Sequence, residues 1–222
     1  SGELASDVTT VPQMRNLHAF DWQCTGCGNR TYQGQRPAKC GKCGAADFEM
    51  VVVWQPKANT RNNFMRFDHD LKFQYWPEYK KRPGAKDEIA ETMSLIGAAF
   101  LMRRERYLEL GGLDEKHGSW GQVGTEVACK AWLSGGRLMV NRRVWFAHLF
   151  RTRSDFSFPY PMSGDAQDKS RAYSRWLWRL DDPQAMPRWD KAVRPLAWIL
   201  RHFAPVPDWP EFPESPKTPP PA

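Results

Sequence analysis

The sequence predicts an α/β fold carrying an inserted four-cysteine ribbon and a C-terminal helical extension. Three observations carry this expectation. Residues 93–151 read in the order strand, helix, helix, strand; two C-x-x-C knuckles stand at Cys24/Cys27 and Cys40/Cys43; and apolar residues recur at helical spacing after Ser163.

In chain order, Val8 to Val11 is a short β-rich run that Pro12 is expected to end. The two knuckles follow, separated by twelve residues, with Gly26, Gly28, Gly41 and Gly44 at the turns. Each knuckle presents two sulfurs from one turn, and the intervening hairpin brings them together, so zinc is the expected ligand; disulfides or free thiols are the alternative. Four protein ligands leave no open position for water, which makes such a site structural. The ribbon either staples an insertion or presents Arg30, Tyr32, Gln35, Arg36 and Lys39 to an acceptor or nucleic acid. Phe48 to Trp54 reads as a central strand. Asp68-x-Asp70, with His69, has the form of a divalent-metal motif; a solvated acidic loop before the aromatic run Phe73, Tyr75 and Trp76 is the reading preferred. The basic loop 80–86 turns at Pro83-Gly84.

The run 95–102 is expected to be a strand. A short charged helix over 103–110 stops at Gly111-Gly112, and a loop spans 113–120. A second helix, about 122–134, sets Val123, Val127, Ala131 and Ser134 on one stripe and stops at Gly135-Gly136. Its Cys129 reads as a small core residue. In 137–150, Trp145, Ala147 and Leu149 alternate with Phe146, His148 and Phe150, as in a strand buried on both faces. After an aromatic, proline-containing stretch at 154–164, Ser163 or Asp165 caps a helix to about Leu180, with Tyr173, Trp176, Leu177 and Leu180 on one face. A helical pair is expected over 188–203 with Pro195 in a first turn, and 205–222 is a Pro-rich tail.

A chain of 222 residues is long enough for a substantial core. Its net charge of +7 and pI near 9.3 suit an anionic partner, whether a nucleotide-sugar diphosphate, a polyanionic acceptor or nucleic acid. Its eleven tryptophans suit core packing, and also sugar rings or bases. No apolar run approaches the roughly 20 residues of a membrane span, so a cytoplasmic location is expected. The chain begins with Ser, as a piece of a longer protein would.

The pattern around 93–151 resembles the C-terminal half of the catalytic domain of family 2 glycosyltransferases of GT-A type, near the polypeptide N-acetylgalactosaminyltransferases. The resemblance rests on Gly97, Arg104 and Tyr107, Gly111-Gly112-Leu113-Asp114-Glu115, Trp120-Gly121, Glu126, Trp132, Gly135-Gly136 and Ala147-His148-Leu149-Phe150-Arg151. It implies a partial GT-A (nucleotide-diphospho-sugar transferase) fold with 1–20 a strand segment of its core, 21–47 the zinc ribbon insertion, 48–151 the C-terminal half of the catalytic domain, 152–204 a lid and helical extension, and 205–222 the tail.

The resemblance further implies a transferase that moves a sugar from a nucleotide-sugar donor to an unknown acceptor. A missing N-terminal nucleotide-binding half would come from elsewhere, for example from a partner chain. Such an enzyme needs a carboxylate to accept the acceptor proton and Mn or Mg to hold the departing diphosphate. Glu126 is the carboxylate that the resemblance favours, with Asp114 and Glu115 as competitors; Val123-Gly124 stand where the family carries an acidic pair, and an ordinary surface ion pair with Lys130 is the alternative for Glu126. His148 occupies the family's metal-ligand position, and Arg151 would touch the diphosphate. Trp120 and Gly121 would line the pocket, with His117 an accessory. The alternative function is a non-catalytic zinc-ribbon module that binds nucleic acid or glycan.

Overall fold

The computed structural model describes residues 5–57, 63–118, 120–150 and 163–212. In chain order the elements are β1 (Val8–Cys24), β2 (Arg30–Tyr32), β3 (Phe48–Lys57), β4 (Met65–Phe67), β5 (Phe73–Tyr75), β6 (Ile89–Glu91), α1 (Arg104–Glu109), α2 (Val123–Leu133), β7 (Arg137–His148), α3 (Gly164–Leu177) and α4 (Leu196–His202). Short 3₁₀ turns lie at Pro77–Lys81 and Glu115–His117. The chain divides into two compact units: Ser1–Pro12 with Asn62–Arg143 and Ser163–Ala222, and Gln13–Arg61 with Val144–Met162. Strands β1 and β7, neighbours in the main sheet, contribute residues to both.

The first unit is built on α2. Every residue from Gly124 to Leu133 is buried, so the single apolar stripe expected for this helix is replaced by a helix enclosed all round. Trp132 is 1% exposed and donates its indole N–H to the Thr92 carbonyl at 3.2 Å, which satisfies the one polar atom that would otherwise be stranded. Met93, Leu95, Leu138, Trp178, Leu196, Ile199 and Phe203 complete the same core. Cys129 lies in it at 0% exposure, and burial pushes its thiol pKa up, as expected for an inert core cysteine.

Helix ends follow the sequence signals. Both α1 and α2 stop before glycine pairs whose first members, Gly111 and Gly135, have φ of 79° and 90°. The Ser163 Oγ accepts the Ala166 N–H at 3.2 Å and caps α3. Of the expected pair over 188–203 only α4 is a helix, with Pro195 as its N-cap residue.

Several expectations are corrected. The run 95–102 is not a strand; its ladder contacts are isolated bridges, Met65↔Ser94 beside it and Thr10↔Leu101 within it. Its first residues pack closely under α2, since a Cβ on Gly124 would stand 2.1 Å from the Leu95 carbonyl and one on Gly97 2.8 Å from Val123. Pro12 does not end the first strand, because β1 runs on to Cys24. The Asp68 carboxylate accepts the backbone N–H groups of Asp70 and Lys72 and the Gln74 amide, at 2.9 to 3.0 Å, so it closes the β4–β5 turn. Asp70 pairs with Arg175 at 2.5 Å. In the basic loop, Arg82 lies over the Trp76 ring and donates to the Phe203 carbonyl at 2.6 Å, which fastens the chain after α4.

In the second unit β3 pairs with β1, Cys24↔Phe48 through Asn16↔Lys57, and has no other partner among the described residues. It is therefore an edge strand rather than the expected central one, with Met50, Val52 and Trp54 at 49%, 71% and 64% exposure. The expectation that β7 is buried on both faces also fails: Leu138 and Val140 are buried in the first unit, whereas Val144 and Trp145 are exposed in the second.

Candidate functional site

The loop between α1 and α2 collects the polar residues of the first unit. Gly112 has φ of 63° and packs against the Tyr107 ring, so the chain reverses tightly into Leu113. From α2, Glu126 and Lys130 project side by side and reach back to this loop. The Glu126 Oε1 accepts from Lys130 Nζ and from the Asp114 backbone N–H, both at 2.7 Å, while its Oε2 lies 3.2 Å from His117 Nδ1. Lys130 Nζ also donates to the Gly112 carbonyl at 2.8 Å.

These groups are buried: Glu126, His117 and Lys130 are 1%, 4% and 4% exposed. The Glu126–Lys130 pair is thus no surface ion pair. Burial works against the Glu126 carboxylate, yet the His117 and Lys130 contacts outweigh it and hold its pKa below the usual range. Of the Glu126 oxygens, Oε1 takes two donors inside the protein, whereas Oε2 has only the His117 ring beside it.

Asp114 is tied as fully. Its Oδ1 accepts the Lys116 backbone N–H at 3.0 Å and its Oδ2 accepts the Tyr173 hydroxyl at 2.7 Å. Burial is outweighed by these bonds, so its pKa is also held down. Tyr173 is shifted up, by burial and then by the Asp114 carboxylate it serves. Its ring meets His117 edge-on at 4.9 Å. One residue later, the Ser174 hydroxyl donates to Gln122 Oε1 at 3.0 Å, immediately before α2.

Trp120 and Gly121 follow this anchored segment. Trp120 is 40% exposed, and Gly121 has φ of 109°, a conformation that favours glycine. The structure thus gathers Asp114, His117, Glu126, Trp120 and Gly121 around one loop. The sequence reading missed Tyr173, Ser174 and Gln122; no local spacing reveals them, since 59 and 52 residues separate the bonded pairs.

The second unit holds the other two features. Cys24, Cys27, Cys40 and Cys43 bring their sulfurs within 4.8 Å of one another, a set that could hold a metal ion. Between the knuckles, Cys24 and Cys43 lie 3.5 Å apart and Cys27 and Cys40 3.6 Å. Backbone N–H groups of Cys43 and Lys42 draw the Cys40 thiol pKa down to about 6, which favours the thiolate a metal requires. Around them Phe48, Trp22 and Ala45 make a small satellite core. The twelve-residue hairpin is fixed by Gln33, whose Oε1 accepts the Ala19 N–H at 2.5 Å and whose Nε2 donates to the Leu17 carbonyl at 2.9 Å.

His148, at the end of β7, packs against Phe150 at 4.3 Å. Burial lowers its pKa, which favours the neutral imidazole, and its buried Nδ1 has no hydrogen-bond partner among the described residues. Arg151 lies outside the described residues.

No protein-family model matches the chain. It is similar to polypeptide N-acetylgalactosaminyltransferase 3 of Drosophila melanogaster, 28% identical over 124 residues that cover 52% of this chain and 18% of the relative. It is also similar to polypeptide N-acetylgalactosaminyltransferase 6 of Mus musculus, 29% identical over 129 residues, 56% of this chain and 20% of the relative. The chain thus matches about a fifth of the length of these relatives. Among solved structures, GalNAc-T7 crystallised with UDP, GalNAc and Mn²⁺ superposes with a TM-score of 0.50 over 80% of this chain and 29% of that one, at 19% identity. About half of the chain is therefore homologous to polypeptide N-acetylgalactosaminyltransferases, and its α/β architecture is part of a GT-A fold.

Proposed function

We infer that this chain is part of a glycosyltransferase that moves a sugar from a nucleotide-sugar donor to an acceptor, the remaining part of the catalytic domain lying outside these residues. The observation that carries this reading is the homology to N-acetylgalactosaminyltransferases, joined to a GT-A neighbour whose structure holds UDP, GalNAc and Mn²⁺.

In this reading Trp120 and Gly121 line the substrate pocket, the exposed indole offering a face to a sugar ring and the glycine leaving room beside it. Glu126 and Asp114 act as positioning residues: Glu126 Oε1 and both Asp114 oxygens accept bonds within the protein, and they hold the loop that carries Trp120 rather than take a proton. His148 is the ligand for Mn²⁺ or Mg²⁺, since an imidazole whose buried Nδ1 has no partner among the described residues suits it. When bound, the ion would neutralise charge on the departing diphosphate. Arg151 is assigned to the same diphosphate. The four cysteines hold zinc, because four clustered thiolates match its preferred tetrahedral sulfur set, and the closed site is structural.

The test is a donor-turnover assay on the longer protein that contains this chain, with UDP-sugars and Mn²⁺, comparing wild type, Trp120→Ala and His148→Ala. Turnover that falls at least about 10²-fold in His148→Ala, and with a raised KM in Trp120→Ala, supports the reading. Turnover unchanged in both variants, or absent with every donor in wild type, contradicts it.

A further inference from the structure

The helix α3 fastens the loop before α2 at two points. The Tyr173 hydroxyl holds Asp114 Oδ2 at 2.7 Å, and the Ser174 hydroxyl holds Gln122 Oε1 at 3.0 Å. Ser174 and Gln122 are 0% and 4% exposed, so the second bond is shielded from water. Asp114 lies before Trp120 and Gln122 after it, whereas the Trp120 side chain has no hydrogen bond among the described residues and is 40% exposed. Its placement is therefore set by what holds the two flanking residues. Gly118 and Gly121, with φ of 73° and 109°, adopt backbone conformations that favour glycine on either side of Trp120.

We propose that Tyr173 and Ser174 are positioning residues for substrate, which act through Trp120 by fixing both ends of its loop. The proposal rests on the reading of Trp120 as a sugar-facing residue, and deepens it: the group that Trp120 meets is a sugar ring, whose apolar face stacks on an indole held still in advance. Tyr173 is suited to this role by its context. Its pKa is shifted upward, so the hydroxyl remains a donor, and its ring, edge-on to His117, is fixed by packing as well as by the hydrogen bond. Neither residue touches the reacting atoms.

The experiment is fluorine NMR of the protein labelled with 5-fluorotryptophan, the Trp120 line being assigned by its loss in Trp120→Phe. Tyr173→Phe and Ser174→Ala each remove one anchor and little else; Lys169→Ala, on the exposed face of α3, is the control. The expected result is a Trp120 line shifted or broadened in both anchor variants and unmoved in the control, with the lines of buried Trp132 and Trp178 unchanged in all three. A Trp120 line unmoved in both anchor variants overturns the proposal, as does one that moves equally in the control.

In calorimetry with UDP-GalNAc and Mn²⁺, the anchor variants bind on the order of five- to tenfold more weakly, the loss of about one hydrogen bond. In the double variants with Trp120→Ala that loss is not added again, because the residues act as one unit. Additive losses overturn the proposal. Absence of all donor binding in wild type contradicts the proposed function alone, and the fluorine lines then decide the inference.

Discussion

Glu126 and Lys130 stand one turn apart on α2 with 2.7 Å between carboxylate and ammonium, and both are buried. A pair at this spacing on a surface contributes a few tenths of a kcal/mol. Here both charges are enclosed and each is part of the other's compensation, beside His117 and the Gly112 carbonyl, so breaking the pair differs sharply from losing a surface contact. Lys130→Met leaves Glu126 charged and underpaired, and is expected to destabilise the first unit by about 3–5 kcal/mol. Chemical denaturation monitored by circular dichroism checks this; a loss below about 1 kcal/mol, the range of an exposed pair, would contradict it.

The same pair makes stability depend on acid. Glu126 and Asp114 both have folded-state pKa values below their unfolded ones. Each therefore contributes stability that is fully present above the ordinary carboxylate pKa of about 4 and is lost as pH falls through the lower folded value. Melting temperature is expected to hold from pH 7 to about 5 and to fall below about 4. In Glu126→Gln the acid-side slope should be shallower, and an unchanged slope would remove this residue from the linkage.

Gly124 offers a test of packing. In an open helix Gly→Ala gains about 1 kcal/mol, but here the added Cβ would meet the Leu95 carbonyl at 2.1 Å. The contact involves backbone on both sides, so relief requires α2 to move away from residues 95–97. Gly124→Ala is expected to cost about 3 kcal/mol or more in a melting experiment. A stabilised variant would mean that α2 does not lie this close.

Metal removal should act on one unit. The satellite core of Phe48, Trp22 and Ala45 is small, so its order depends on what holds Cys24, Cys27, Cys40 and Cys43 together. Chelation, or Cys24→Ser, is expected to speed amide exchange in residues 21–49 while the amides of α2 stay protected. Equal protection with and without chelator would show that the cysteines need no metal.

Much of this architecture was legible in local sequence. The Gly111-Gly112 and Gly135-Gly136 stops, the Ser163 cap and the paired knuckles each act within a few residues, and the structure has each in place. What sequence reading lost was set by neighbours distant in the chain. The apolar run 95–102 has strand composition, yet Gly97 and Gly124 press its first residues against a helix, and only the isolated Thr10↔Leu101 bridge forms within it. The β-rich 48–54 has the look of a buried strand, but no second partner covers it among the described residues. At the candidate site, Glu126 was found by resemblance, whereas its surroundings were invisible: the carboxylate is enclosed because His117, Lys130 and the Asp114 backbone converge on it.

The account stands most directly on one titration, that of UDP-sugars and GDP-sugars with Mn²⁺ into the protein by calorimetry, with His148→Ala alongside. The account predicts metal-dependent binding of a sugar nucleotide that is lost in His148→Ala. Binding that survives His148→Ala unchanged, or no binding of any donor, would contradict it.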